Sequence, residues 1–365
     1  MTVNTLKIAC LGDVMCGDSF YNLGYGAGSS LMKEGISFLN KEIVDHLKSH
    51  DIVMGNIECV LSDVGRDDRK LRTLHMRGRP ETAEYLAGWG INVAHLANNH
   101  IMEHGLEAAL NTVENLQQAG INIIGAGKNH RFEAGFEPVR IELKDHNIIL
   151  FGACLRKEKY AYDGGGKLEA LLDMVRQESL NKSLVIVSVH WGDELMDRPA
   201  LWQHKLQDQL KEAGASLIIG HHPHVFQGVS ANNDSLTAYS MGNFIFDNNN
   251  KLTQWSGILS IQISENKIID WKITPIVQHA NHYPVIAEGD MREFLQKECK
   301  RRCELLQQPL PEQEYEESYR RELEHLTNVC RRKMWWRLIR HWNRFPLVFW
   351  PQILMRPLQR RLGTW

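Results

Sequence analysis

The 365-residue sequence predicts an α/β fold, and two observations support that prediction. Up to about residue 285, short apolar runs of strand character alternate with stretches in which apolar residues recur at helical spacing, as in βαβ units. The composition, 43% hydrophobic and 24% charged, is that of a globular protein with a large core. The formal net charge of −2 gives no indication of a nucleic-acid partner.

The apolar runs predict strands at 6–13, 51–57, 92–97, 121–125, 138–143, 147–153, 184–190, 216–220, 236–241, 257–263 and 267–276. Helical spacing predicts helices over 38–47, 106–116, 168–175 and 201–210. Asp145-His146 and Glu265-Asn266 are turn-like pairs, so we expect antiparallel hairpins there. Segments 24–30 and 63–72 are expected to be loops.

The strand pattern ends near residue 285, and we divide the chain there into an α/β domain, 1–285, and a helical extension, 286–365. Residues 291–306 and 312–338 have helical composition, and Pro309-Leu310-Pro311 separates them. No acidic residue follows Glu324, whereas nine basic residues do: Arg331, Arg332, Lys333, Arg337, Arg340, Arg344, Arg356, Arg360 and Arg361.

Aromatic residues alternate with these arginines, namely Trp335, Trp336, Trp342, Phe345, Phe349 and Trp350. This mixture suits a membrane-interface helix, which Pro346 and Pro351 would bend. The alternative is that the aromatic rings pack on the α/β domain or on a partner subunit. We therefore predict that 331–365 contacts a membrane surface or a partner in a biosynthetic complex, and we expect no nucleic-acid partner.

The seven cysteines are scattered, which is typical of reduced thiols in a cytosolic protein. Met1–Asn4 leads directly into the first predicted strand without the features of a secretory signal. No run reaches the roughly 18 apolar residues of a membrane-spanning helix. We expect a cytoplasmic protein, peripheral at the inner face of the membrane through its tail.

Five predicted strands end on residues that can bind a metal: Asp13, then Asn56 and Glu58, then Asn99 and His100, then His190, then His222 and His224. Parallel strands end at one edge of a sheet, where ligands bind in α/β folds. Oxygen and imidazole donors without a thiolate suit Mn, Fe or Zn. Each group also has a structural alternative, such as a turn or cap for Asp13, an asparagine turn for Asn98-Asn99, or a hydrogen-bonded core histidine for His190.

The ordered motifs Gly12-Asp13, Gly55-Asn56-Ile57-Glu58, Asn98-Asn99-His100, His190-Trp191-Gly192, Gly220–His224 and Ser240–Asp247 resemble those of the CapA family of capsule biosynthesis, which is linked to poly-γ-glutamate and related surface polymers. That family is similar to the calcineurin-like metallophosphoesterases. Over residues 6–250 the resemblance implies a four-layer αββα sandwich of the metallophosphoesterase type, so that 1–285 is a catalytic domain. It also implies one or two divalent ions, with ligands Asp13, Asn56, Glu58, Asn99, His190, His222 and His224.

The resemblance places His100 where a histidine assists the leaving group, and we expect Glu58 to orient the attacking water. Two positions depart from the phosphoesterase pattern, because Met15 replaces a histidine ligand and Asn56 replaces the bridging aspartate. A single metal, or a second site that depends on Glu58, fits these residues better than a complete two-metal centre.

Asn243, Arg77 and Arg79 are predicted to contact an anionic substrate, although the arginines also suit a solvated surface. The predicted function is a metal-dependent hydrolase in capsule or surface-polymer biosynthesis, acting on a phosphoester or on an amide or ester of an anionic polymer. The alternative is a catalytically weak accessory protein that binds polymer or synthase near the membrane, which Met15 and Asn56 favour.

Overall fold

A computed structural model describes residues 4–232, 234–247, 250–279, 282–307, 310–340 and 349–361. Within these residues the strands are β1 Leu6–Val14, β2 Ile52–Ile57, β3 Val60–Leu61, β4 Arg77–Gly78, β5 Val93–His95, β6 Asn122–Ile124, β7 Val139–Leu143, β8 His146–Cys154, β9 Leu184–His190, β10 Leu217–His221, β11 Phe226–Ala231, β12 Leu236–Met241, β13 Asn243–Ile245, β14 Trp255–Ser264, β15 Lys267–Gln278 and β16 Pro284–Ile286. The α-helices are α1 Ala27–Glu34, α2 Lys41–Lys48, α3 Thr82–Gly88, α4 Leu106–Gln118, α5 Leu168–Ser179, α6 Leu201–Glu212, α7 Gly289–Leu305, α8 Glu312–Arg340 and α9 Trp350–Arg361.

Two large sheets form the body. The first has the order β16-β15-β14-β1-β2-β5-β6, and β13 also pairs with β1. Its strands β1, β2, β5 and β6 run parallel, whereas β14–β16 extend it by antiparallel pairing. The second has the order β11-β12-β10-β9-β8-β7, with four parallel central strands and antiparallel strands β7 and β11 at its edges. β3 and β4 form a small separate pair.

Three hydrophobic cores show how the layers stack. Residues of both sheets, such as Ile8 and Ile186, share one core, so the sheets face each other. A second core joins the outer face of the first sheet to α1–α4, and a third joins the outer face of the second sheet to α5 and α6. The strands in the middle, including the fully buried β9, are covered on both faces and therefore need continuous apolar runs. The predicted four-layer αββα sandwich is confirmed.

The eleven predicted strands and the two hairpins are all present. One loop prediction is wrong in part, because α1 begins at Ala27 inside segment 24–30. The carboxylate of Asp18 accepts hydrogen bonds from the backbone N–H and the hydroxyl of Ser29, at 2.8 and 2.5 Å, and Leu31 is buried. A tertiary contact therefore stabilises a helix that local propensity does not indicate.

The C-terminal helices pack on the sandwich. In α7, Cys299 joins the core between the sheets, and the guanidinium of Arg302 lies 4.9 Å from the ring centroid of Trp255. The hydroxyl of Tyr319 in α8 donates a 3.0 Å hydrogen bond to Asp193. Helices thus follow the last strand, β16, while the division into domains at residue 285 stays a prediction.

α9 contacts the body through its apolar face, because Phe349 and Ile353 pack with Phe20 and Leu71. The described tail residue Trp336 is instead 72% exposed. Trp342, Phe345 and Pro346 lie outside the described residues, and so does the side chain of Trp335. In the described part of the chain, no helix combines the length and the apolar character needed to cross a membrane.

Candidate metal centre

Buried acidic and imidazole side chains from both sheets meet at one end of the sandwich. Asp13 lies near the end of β1, where it pairs in register with Asn56 of β2, and Glu58 follows directly. His190 ends β9 in the opposite sheet, and His222 and His224 follow β10. The donors therefore come from two sheets, not from one parallel sheet, and face each other across the gap between them.

Two triads of potential ligands result. One consists of Asp13, Glu58 and His224, and the other of Glu58, His190 and His222. Within each triad, one donor atom per residue lies within 4.8 Å of the others. Glu58 belongs to both triads, so its carboxylate would contact an ion held by either one.

The chemistry of these donors fits a divalent cation. Oε1 of Glu58 and both ring nitrogens of His222 are buried and have no hydrogen-bond partner among the described residues. Burial raises the pKa of Glu58 well above its usual range and lowers the pKa of His190 and His222 well below theirs. A buried carboxylate is costly without a compensating positive charge, and neutral imidazoles are the form that binds metals.

His224 behaves differently from the other two histidines. Burial alone would lower its pKa, but the nearby carboxylates of Glu58 and Asp13 outweigh this effect and raise the pKa to about 10. Its Nδ1 lies 3.1 Å from Oδ2 of Asp13, and its Nε2 lies 3.8 Å from Oε1 of Glu58. The protonated ring of His224 therefore places a positive charge beside Asp13.

The turn after β10 aims these imidazoles into the site. His222 and His224 have φ angles of 97° and 59°, in the left-handed region that favours glycine. The segment is thus a strained turn around Pro223. Non-glycine residues adopt such conformations mainly where the surroundings impose them, and they are frequent at functional sites.

The asparagines surround these ligands. The side-chain Nδ2 of Asn56 donates to Oδ1 of Asp13 at 2.8 Å, and Nδ2 of Asn98 donates to the side-chain Oδ1 of Asn56 at 3.2 Å. Oδ1 of Asn99 lies 2.9 Å from Nε2 of His190. Asn56 and Asn99 therefore each contact a residue of the two triads, while their assignment as metal ligands stays a prediction.

His100 lies at the edge of the centre and remains partly exposed. Its Nε2 is 3.9 Å from Oε1 of Glu58, and its Nδ1 is 2.9 Å from Oε2 of Glu103. Burial would raise the pKa of Glu103, but His75 and His100 lower it to about 2. Because the Glu103 carboxylate only accepts hydrogen bonds, Nδ1 of His100 donates and its Nε2 faces the candidate metal centre.

A second chain of polar groups was not predicted. The hydroxyl of Ser188 lies 2.6 Å from Nδ1 of His95 and 3.0 Å from Nε2 of His221, whose Nδ1 is 3.6 Å from Asp13. His221 thus lies next to Asp13, and Ser188 connects it to His95. Each lies within an apolar strand, and the only signal in the sequence was the additional histidine of the His221-His222 pair.

The comparison with known families decides the relationship. The profile described as "Bacterial capsule synthesis protein PGA_cap" matches residues 7–248, about two thirds of the chain, and spans every residue of the two triads. The chain belongs to the PGA_cap family. Two relatives are the capsule biosynthesis protein CapA of Bacillus anthracis, 26% identical over 78% of this chain and 71% of the relative, and the PGA biosynthesis protein CapA of Bacillus subtilis (strain 168), 23% identical over 76% and 72%.

Solved structures similar to this PGA_cap protein include a phosphatase from Mycoplasma pneumoniae, with a TM-score of 0.48 and 14% identity over 76% of this chain and 95% of that one. Another is a putative 5'-nucleotidase from Staphylococcus aureus, with a TM-score of 0.47 and 11% identity over 81% of this chain and 58% of that one.

The other residues that the sequence analysis singled out in this PGA_cap protein have different surroundings. Met15 is fully buried in the core beneath α1–α4. Oδ1 of Asn243 lies 2.9 Å from Nδ1 of His224. Arg79 pairs with both carboxylate oxygens of Asp63 at 3.0 Å, whereas Arg77 is buried. The substrate contacts of Asn243, Arg77 and Arg79 stay predictions.

Proposed function

We propose that this PGA_cap protein is a metal-dependent hydrolase that acts on an anionic surface polymer, such as poly-γ-glutamate or a polysaccharide, or on a phosphoester precursor of such a polymer. The observation that carries the proposal is the pair of buried ligand triads that share Glu58. Mn, Fe or Zn suits this donor set. When bound, such an ion polarises the scissile group and lowers the pKa of a coordinated water.

The side chains of the site have distinct tasks in this proposal. Asp13, Glu58, His190, His222 and His224 would hold the ion or ions. Asn56, which donates to Asp13 at 2.8 Å, keeps that carboxylate oriented. The hydrogen bond between the hydroxyl of Ser188 and Nε2 of His221 holds the ring of His221 next to Asp13.

His100 would protonate the leaving atom. It is the partly exposed histidine beside the fully buried Glu58, so a substrate can reach it. The ionised Glu103 accepts a hydrogen bond from its Nδ1 and so holds the ring with Nε2 directed toward Glu58. Proton transfer from a positioned histidine contributes typically about 10²–10⁴-fold to a rate.

Turnover of bis(p-nitrophenyl) phosphate with added Mn²⁺ tests the proposal, together with the metal content of the purified protein. We expect bound metal and Mn-dependent hydrolysis in the wild type, and loss of hydrolysis in Asp13→Ala. Asp173→Ala is the matched control, because Asp173 is exposed on α5 and pairs with Arg176. A wild type that binds no metal, or an Asp13→Ala variant with full activity, would refute the proposed hydrolase.

The alternative is an accessory protein with little catalytic power, and one observation favours it. The position of the bridging aspartate holds Asn56, whose neutral amide donates to Asp13 and cannot supply a charged bridge. The same experiment separates the two functions. Stoichiometric metal binding without turnover of phosphoesters or of γ-linked glutamate oligomers would support the accessory role.

Attachment to a membrane surface is proposed for the tail because three apolar side chains in the basic region are exposed. Trp336 is 72%, Leu354 70% and Met355 47% accessible. We expect flotation with anionic liposomes to decrease in Trp336→Ser/Leu354→Ser. Leu180→Ser is the control, since Leu180 is 82% exposed outside the tail. Equal flotation of the wild type and both variants would refute membrane attachment through the tail and would favour a protein partner instead.

A further inference from the structure

Arg77 is a buried arginine whose side chain forms no hydrogen bond or ion pair with the described residues. The residue is 5% exposed, and its Nε and Nη1 are buried with no hydrogen bond to any described residue. None of the ion pairs among the described residues involves it. Its neighbours differ, because Arg79 pairs with Asp63 at 3.0 Å and Arg66 pairs with Asp68 at 2.7 Å.

An unpaired guanidinium at this depth is energetically costly. Burial, reinforced by Arg66 and only partly opposed by the carboxylate of Asp63, lowers the pKa of Arg77 to about 10, so the group still carries its charge at neutral pH. Buried charges in proteins are normally compensated by a counter-ion or by hydrogen bonds. The arrangement therefore calls for an anion that the described chain does not itself supply.

The backbone of Arg77 is held on two sides. Arg77 is in register with Val60 in the β3–β4 pair, and the preceding amide, of Met76, donates to the carbonyl of Asp18 at 2.8 Å. The contact with Gly17 is so close that a Cβ at Gly17 would lie 2.3 Å from the backbone nitrogen of Arg77. The guanidinium is thus presented from a rigid segment, which reduces the entropy lost on binding.

Arg77 lines a cavity of about 380 Å³ next to the candidate catalytic histidine. Arg72 and Lys159 line the same cavity, and its one carboxylate is Glu103. That carboxylate already contacts His100 and His75, at 2.9 and 3.5 Å. The cavity therefore has an excess of positive charge, and it adjoins His100 through Glu103.

We propose that Arg77, together with Arg72 and Lys159, binds an anionic oxygen group, either a carboxylate or a phosphate, beside His100. A guanidinium binds both groups through two parallel hydrogen bonds. The description of that group as part of the substrate rests on the proposed hydrolase function. The binding itself does not depend on the metal centre.

Isothermal titration calorimetry on the full-length protein tests this site, once with Mn²⁺ and once after chelation. The titrants are inorganic phosphate and a γ-linked glutamate trimer. At least one of the two titrants should bind to both the Mn²⁺-loaded and the chelated protein. Arg77→Met should lower the affinity for that titrant about tenfold or more. Arg77→Lys keeps the positive charge but not the two parallel N–H donors of a guanidinium, so its affinity should lie between those of the wild type and Arg77→Met. Arg140→Met is the matched control, because Arg140 lies on the edge strand β7 and pairs with Glu178 of α5.

The titrant that binds identifies the group as a phosphate or a carboxylate. Unchanged binding in Arg77→Met, or no binding of either titrant to the wild type, would overturn the proposal. Loss of Mn²⁺ binding or of turnover alone would refute the hydrolase and leave this site intact, since the chelated protein is tested separately.

The melting temperature without any anion gives a second readout. Arg77→Met should melt above the wild type, because it removes an uncompensated buried charge. A variant that melts lower, or fails to fold, would show that Arg77 has a purely structural role and would also overturn the proposal.

Discussion

Nδ1 of His100 lies 2.9 Å from Oε2 of Glu103, three residues later in the chain, while Nε2 of the same ring faces Oε1 of Glu58 at 3.9 Å. Glu103 also approaches Nε2 of His75 at 3.5 Å, and its pKa is lowered to about 2. A carboxylate that is ionised at neutral pH thus orients the histidine that borders the candidate metal centre, an arrangement also found in enzymes in which a third group orients a catalytic histidine.

The first prediction concerns this pair. Glu103→Gln keeps a hydrogen-bond acceptor for Nδ1 of His100 but removes the negative charge that strengthens this orienting hydrogen bond. We expect kcat for bis(p-nitrophenyl) phosphate to fall about 100-fold while the metal content stays unchanged. Glu107→Gln, on the exposed first turn of α4, should retain full activity. If Glu103→Gln instead lost its metal, the role of Glu103 would be to stabilise the metal site.

The second prediction concerns Glu58 and pH. Its folded-state pKa is raised, chiefly by burial, so the stability that it contributes is present below its unfolded pKa, near 4.5, and is lost as the pH rises through the folded value. In chelator, the wild type should therefore lose stability relative to Glu58→Gln between about pH 4.5 and neutral pH. Thermal melts at both pH values measure the difference.

Mn²⁺ should reverse this loss in the wild type only. At a hundred times its Kd, an ion that binds only the folded state stabilises by about 2.7 kcal/mol. Glu58→Gln disrupts both triads and should lose this gain, whereas Glu169→Gln, exposed on α5, should behave as the wild type. Equal stabilisation of Glu58→Gln would exclude Glu58 as a ligand.

The third prediction concerns Asp247, whose pKa is raised to about 7 by burial and by the neighbouring Asp18. Its Oδ2 accepts a 2.7 Å hydrogen bond from the backbone of Ser19, which an asparagine can retain. The stability that Asp247 contributes below its unfolded pKa of 3.8 is lost as the pH rises toward 7. Asp247→Asn should thus equal the wild type near pH 4 and exceed it above pH 7, by at most about 4 kcal/mol.

Urea unfolding across this pH range measures the effect, with the exposed Asp234→Asn as control. A constant difference between Asp247→Asn and the wild type at every pH would mean that Asp247 is ionised throughout.

The strands of the sandwich were predictable because fully buried parallel strands such as β9 require uninterrupted apolar runs. The candidate ligands Asp13, Glu58 and His190 were also predictable, since they stand at or just beyond the ends of such runs. The helix α1 was not predictable, because its stability depends on the contact between Asp18 and Ser29, eleven residues apart. The surroundings of Arg77 were equally hidden, since only the fold reveals that Asp63 forms its ion pair with Arg79 and not with Arg77.

The last prediction links α9 to the proposed anion site. Gln352 accepts a 2.9 Å hydrogen bond from the backbone N–H of Leu71 and donates to the carbonyl of Arg69 at 3.1 Å, while Phe349 packs on Leu71. The segment held in this way continues directly into Arg72 and Arg77. Removing the contacts should free the segment locally, because they form a small cluster separate from the main cores.

In Gln352→Ala and Phe349→Ala, hydrogen exchange of the Leu71 amide should accelerate by about tenfold or more, as expected when one hydrogen bond or a small apolar contact is lost. Binding of phosphate or of the glutamate trimer should weaken in parallel, because ordering the freed segment opposes binding. Trp336→Ala is the control, since Trp336 is 72% exposed and should change neither quantity. If exchange accelerates and anion binding does not change, α9 stabilises the segment without any influence on Arg77.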